Sequence, residues 1–171
     1  MRRARYTLAA WASAFCVVLL VAASLPETAA EDPTDWLRLD EAREHAASDG
    51  KPIFIFVEAE WCVQCRRMER EVFPQEDVKR LLEERYHAVS IDLDSREKVT
   101  LDGESVTERE FARRMEVSVT PTIFFMNAQG DVMGQRPGYV DVEEMTVLLR
   151  YVTSDSFGEI SLEEFREQRE Q

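Results

Sequence analysis

The chain has 171 residues, 44% of them hydrophobic, and carries 21 Lys and Arg against 34 Asp and Glu for a formal net charge of −13. That length fits one domain, and the acidic balance repels phosphate backbones, which argues against a nucleic-acid partner. Of the three cysteines, Cys16 lies in the N-terminal segment and only Cys62 and Cys65 lie beyond it, too few and too close for a disulfide-stapled secreted scaffold.

Residues 1–30 differ in kind from the rest. Arg2, Arg3 and Arg5 precede an uncharged run from Leu8 to Leu25, then small residues to Ala30, before acidic residues open at Glu31. This is the layout of a secretory signal peptide cleaved after Ala30, with an uncleaved membrane anchor as the alternative. Without that segment, residues 31–171 hold 18 basic and 33 acidic residues, a net charge of −15.

Asp40 is a candidate cap for a helix from Glu41 to Ser48, which Gly50 and Pro52 end. Ile53 to Val57 is an unbroken β-branched and aromatic run, the pattern of a central strand buried on both faces. Trp61-Cys62-Val63-Gln64-Cys65 follows, and Cys65, Met68 and Val72 recur at helical spacing before Pro74. A further helix from Glu76 to Tyr86 carries Val78, Leu81 and Leu82, and Val89, Ile91 and Leu93 alternate as a strand. The charged residues 94–106, with Gly103, read as a loop or ragged insert. Thr107 with Glu110 forms a capping box for a helix through Met115. Thr122 to Met126 is a strand, turning through Asn127–Asp131 into another at 132–135. Asp141 caps a helix bearing Met145, Leu148, Leu149 and Val152, and Ser161 to Gln168 forms a last short helix. Strands separated by helices imply an α/β fold with a largely parallel sheet and an antiparallel closing hairpin.

Cys62 falls where a buried strand turns into a helix, so the unpaired N–H groups of that helix favour its thiolate, the attacking species. Cys65 is one turn on, within reach to resolve a mixed disulfide. Two thiolates and the distant His45 and His87 do not make a closed zinc site. A Cu(I)-binding module drawing on Met68, Met126 and Met133 is an alternative of another class, as is a purely structural interaction domain.

The Trp-Cys-x-x-Cys segment after a buried strand, with Val119-Thr120-Pro121-Thr122 before a later one, resembles the thioredoxin superfamily. The resemblance implies a thioredoxin fold: a mixed, mostly parallel central sheet flanked by helices, over residues 31–171. It also implies a cis Pro121 lying against the active-site disulfide, with Trp61 and Thr120 facing the substrate. Residues 56–69 are similar to the C-terminal thioredoxin-like domain of the DsbD family, and Val106 through Tyr151 with its tail to SoxW-type periplasmic thioredoxins. Both branches are reductive. They imply a monomeric, cofactor-free periplasmic thiol–disulfide oxidoreductase acting on disulfide-bearing proteins and fed by a membrane electron donor of DsbD type. A disulfide oxidase or isomerase is the variant reading.

Two departures matter. Thioredoxins have Gly-Pro between the cysteines where this chain has Val63 and Gln64, and they bury an aspartate where it has Phe56. Glu58, emerging from the Phe54–Phe56 face of the strand, is the candidate substitute for proton transfer; the bland alternative is a solvated strand-end glutamate. Glu69 falls on one helical stripe with Cys62 and Cys65 and matches a DsbD-type glutamate; alternatively it pairs with Arg66 or Arg67.

Overall fold

A computed structural model describes residues 34–101 and 103–169. The expected leader at 1–30 lies outside the described residues. The elements are α1 (Leu39–Asp49), β1 (Ile53–Glu58), α2 (Val63–Glu71), α3 (Glu76–Arg85), β2 (His87–Asp92), β3 (Lys98–Leu101), β4 (Glu104–Thr107), α4 (Glu108–Arg114), β5 (Thr122–Met126), β6 (Val132–Pro137), α5 (Val142–Val152) and α6 (Leu162–Arg169). The main sheet has the order β2-β1-β5-β6.

Strand alternation divides the core. Ile53, Ile55 and Val57 point to one face, where they join Leu39, Ala42 and Ala46 of α1 and Phe111 of α4. Phe54 and Phe56 point to the other, with Met68 of α2, Phe73, Leu82 of α3 and Leu149 of α5. The unbroken apolar run is thus explained: β1 is the central strand with helices on both sides.

The sheet is mixed, but its parallel share is one pair in three. β1 pairs parallel with β2, whereas β1–β5 and β5–β6 are antiparallel. The physical reason lies in the connection after β2. β3, β4 and the short α4 keep the chain at the edge where β2 ends, so β5 starts there and runs back.

The charged segment 94–106, expected as a loop, instead folds into the β3–β4 hairpin. Val99, Leu101 and Val106 turn inward onto the α1–α4 face, and Gly103 makes the turn at φ +80°. Asp40, expected as the cap of the first helix, lies inside α1, and Arg38 holds the cap position. Its carboxylate accepts the Thr100 N–H at 2.9 Å, so it pins the hairpin rather than the helix end.

The other caps follow the sequence. Thr107 Oγ1 accepts the Glu110 N–H at 3.1 Å, and Asp141 accepts the Glu144 N–H at 2.9 Å. Both glutamates then turn away from the cap. Glu110 is held down to about pKa 2 by hydrogen bonds from Arg113 and Arg114, and Glu144 pairs with Arg136 at 2.6 Å.

Candidate active site

β1 delivers the chain to a tight turn at Ala59, Glu60 and Trp61, closed by the Cys62 N–H donating to the Ala59 carbonyl at 2.8 Å. Cys62 is the cap residue of α2, and its sulfur accepts the Cys65 N–H at 3.0 Å. The two cysteines are joined by a disulfide with Cα atoms 5.2 Å apart. Their exposure differs in kind: Cys62 keeps 4% of its surface, Cys65 none. An incoming group therefore reaches Cys62 and not Cys65. Around it, Trp61, Val63 and Val119 are large apolar side chains left 64%, 66% and 44% exposed. Large apolar side chains left together in water mark a surface that meets a partner.

The loop before β5 shares this edge, because Thr122 pairs with Val57 near the end of β1. The Thr120–Pro121 bond in it is cis, Pro121 is buried, and Thr120 is half-buried beside it. The Pro121 carbonyl accepts the Gly138 N–H at 2.8 Å, and Thr122 Oγ1 donates to the Val119 carbonyl at 2.7 Å. Gly138 takes φ +87°, a conformation costly for any residue with a Cβ. The adjoining Tyr139 ring sits 4.4 Å under the Arg67 guanidinium, tying this turn to α2.

Trp61 is fixed from the other side. Its indole N–H donates to Asp94 Oδ2 at 2.8 Å, and Asp94 also meets Arg109 at 3.3 Å. Neither Asp94 nor Arg109 stands out in the sequence. Asp94 lies just past β2 in the segment taken for a loop, and only the pairing of β1 with β2 brings it to Trp61. Arg66 donates to the Glu60 carbonyl, bracing the turn before the cysteines.

Glu58 and Glu69 are each half-buried. Glu58 ends β1 opposite Asp92, on the face that carries Phe54 and Phe56. Glu69 lies on α2 one turn beyond Cys65. Glu108, which the sequence did not single out, lies close by: its carboxylate accepts the Asp92 N–H at 3.3 Å, and burial pushes its pKa up.

His45 and His87 meet edge-on with centroids 5.3 Å apart at the other end of the sheet, where His87 meets Asp49 at 3.0 Å. Asp49 is held below the usual carboxylate range, chiefly by the His87 hydrogen bond. Met68 and Met126 belong to cores on opposite faces of the sheet, so they do not converge on one soft-metal site. Among the described residues no three His, Cys, Asp or Glu side chains gather as metal ligands.

Known proteins place this arrangement. Over 98 residues the chain is 31% identical to the thiol:disulfide interchange protein DsbD of Cronobacter sakazakii, a match covering 56% of this chain and 16% of that protein. It is 26% identical over 107 residues to the disulfide bond reductase DsbH of Chlamydia pneumoniae, covering 60% of this chain and 64% of DsbH. The chain thus spans only part of the length of these curated relatives. Among solved structures, a thioredoxin from Thermus thermophilus superposes with a TM-score of 0.58 at 29% identity, over 74% of this chain and 91% of that one. The family model of the thioredoxin-like domain matches residues 39–153, from the start of α1 to the end of α5, and the chain belongs to that family.

Proposed function

We propose that this protein is an exported thiol–disulfide oxidoreductase that reduces disulfides in partner proteins. The observation that carries the reading is the asymmetry of the pair: Cys62, capping a helix, keeps a narrow 4% exposed edge, and Cys65 is sealed beneath it. In the reduced protein the Cys62 thiolate attacks a partner disulfide, forming a mixed disulfide and releasing one partner thiolate. Cys65, once deprotonated, attacks the Cys62 sulfur, releases the second partner thiol and leaves the Cys62–Cys65 disulfide. Two electrons pass from the dithiol to the partner. Glu58 is the group assigned to take the Cys65 proton, since Phe56 offers no carboxylate at the preceding inward position; Glu69 supports the same site from α2. Pro121 and Thr120 form the edge along which a partner segment lies, and Trp61 covers it.

Compartment and electron source rest on the N-terminal sequence and on the DsbD resemblance. The export-type leader argues for the periplasm, or for its membrane face if the leader stays attached. That compartment is kept oxidising, so regeneration of the dithiol calls for a membrane donor of DsbD type.

The reduction potential of the Cys62–Cys65 pair, equilibrated against glutathione or dithiothreitol buffers, tests the direction of flow. We expect a value near about −270 mV, as for thioredoxin. A value near about −120 mV, typical of a strong disulfide donor, would reverse the assignment.

The Trp61–Asp94 hydrogen bond supplies a second expectation. Asp94→Ala frees an indole that is otherwise held at the rim, so kcat/KM for disulfide reduction falls roughly three- to tenfold, the range for the net loss of one solvent-exposed hydrogen bond. The thermal midpoint stays near that of the parent. Steady-state kinetics beside a melting curve checks both; an unchanged kcat/KM would remove Trp61 from partner docking.

A further inference from the structure

Far from the disulfide, the described residues form a second site of opposite character. Against a surplus of carboxylates over the whole chain, four arginines, Arg80, Arg85, Arg150 and Arg169, line one cleft of about 360 Å3. We propose that this cleft binds a small multivalent oxyanion, a compound bearing phosphate or carboxylate groups.

Construction argues for it first. The arginines come from three helices: Arg80 and Arg85 from α3, Arg150 from the last turn of α5, and Arg169 from the end of α6. They are therefore not one stripe of a solvated helix face. Each helix end gains from a basic residue through its dipole, which accounts for an arginine on each. It does not account for three such ends meeting in one cleft.

Neutralisation is incomplete. Arg80 is paired with Asp77 at 2.5 Å. Arg85 donates to the Thr153 hydroxyl at 3.2 Å, which offsets no charge. The Arg169 guanidinium lies 5.6 Å over the Phe165 ring, a contact that leaves its edge donors open. Arg150 has no ion pair or hydrogen bond among the described residues, and neither Arg85 nor Arg169 has an ion pair there. Among the described residues, three like charges thus face one cavity with no carboxylate in its lining, an arrangement that repels itself until an anion enters. Planar guanidinium forks suit the paired oxygens of phosphate and carboxylate groups. Phe165 and Leu81 line the same cleft and suit a ligand with an apolar portion. Its volume falls in the range of small-molecule sites.

The cleft lies away from Cys62. α3 runs out into His87, which pairs with Ile53, whereas the cysteines follow the other end of β1, roughly 17 Å along the strand. Ligand binding and disulfide chemistry are accordingly separable. Calorimetric titration of the disulfide-bonded protein with pyrophosphate and, separately, citrate at fixed chloride tests the site. We expect one-to-one binding with Kd of about 1 mM or tighter. Arg150→Gln and Arg169→Gln each weaken it about tenfold, leave thiol–disulfide turnover unchanged, and leave the ligand-free thermal midpoint equal or higher through relief of repulsion. A response to pyrophosphate alone assigns a phosphate compound; a response to citrate alone, a polycarboxylate. Absence of saturable binding by either anion overturns the proposal. So does binding that both substitutions leave intact, or a midpoint that falls in both variants without ligand, which is what dipole stabilisation alone predicts.

Discussion

Replacing Cys62 by serine abolishes disulfide exchange, and replacing Cys65 by serine arrests it halfway. The first loses the only cysteine of the pair with any exposed surface, since Cys65 is fully buried. Loss of a catalytic nucleophile costs on the order of 10³-fold or more in rate, and the one thiol left beside it, Cys65, is fully buried and out of a partner's reach. The second variant keeps the attacking sulfur at the α2 cap but has nothing to resolve the intermediate. It therefore accumulates a covalent complex through Cys62, visible as a mass increase that dithiothreitol removes. Turnover of a model protein disulfide and mass spectrometry of the products read out both variants. Trapping by Cys62→Ser rather than by Cys65→Ser would exchange the roles of the two cysteines and refute the mechanism. The same trapped species, formed in a cell extract, names the partner.

How much of this could be read from residues alone depends on how local each feature is. β1 was legible because five consecutive apolar residues admit only burial on both faces, and its two faces do enter separate cores. The caps at Thr107 and Asp141 were legible because the bond spans three residues. Asp40 was not, because its carboxylate is captured by Thr100, sixty positions away. The β3–β4 hairpin was hidden for a related reason. Its strands are only four residues long, and the inward positions Val99, Leu101 and Val106 are outnumbered by charged and polar neighbours. At the site, Trp61, Cys62 and Cys65 announce themselves as a motif, whereas Asp94 and Tyr139 reach it only through strand pairing and the turn after β6. The arginine cleft has no sequence signature at all, since its members are drawn from three helices spread over ninety residues.

Phe56 carries the second large effect. It fills the inward position of β1 where thioredoxins keep a buried aspartate, and here it sits at zero exposure against Trp36 at 5.9 Å and edge-on to Phe73 at 4.9 Å. The site has thus been rebuilt as an aromatic cluster, which Phe54 extends through its own contact with Phe73. Phe56→Ala opens a cavity among rings that are too rigid to collapse into it, at a cost of about 3–5 kcal/mol. For a domain of this size that lowers the thermal midpoint by roughly 10–20 °C. Phe56→Asp adds a pH dependence that alanine lacks. A carboxyl buried in that cluster has its folded pKa raised above the unfolded value, because desolvation penalises the charged form. Its stability is therefore fullest below the unfolded pKa of about 4 and is lost as pH rises through the folded pKa. Phe56→Asn, of similar size and unable to ionise, loses stability equally at both ends. Melting curves of the three variants at acid and neutral pH separate the contributions. Should Phe56→Asp match the parent at neutral pH, the pocket would already be polar enough to hold a charge, and a carboxylate at this position would compete for the role proposed for Glu58, taking the Cys65 proton.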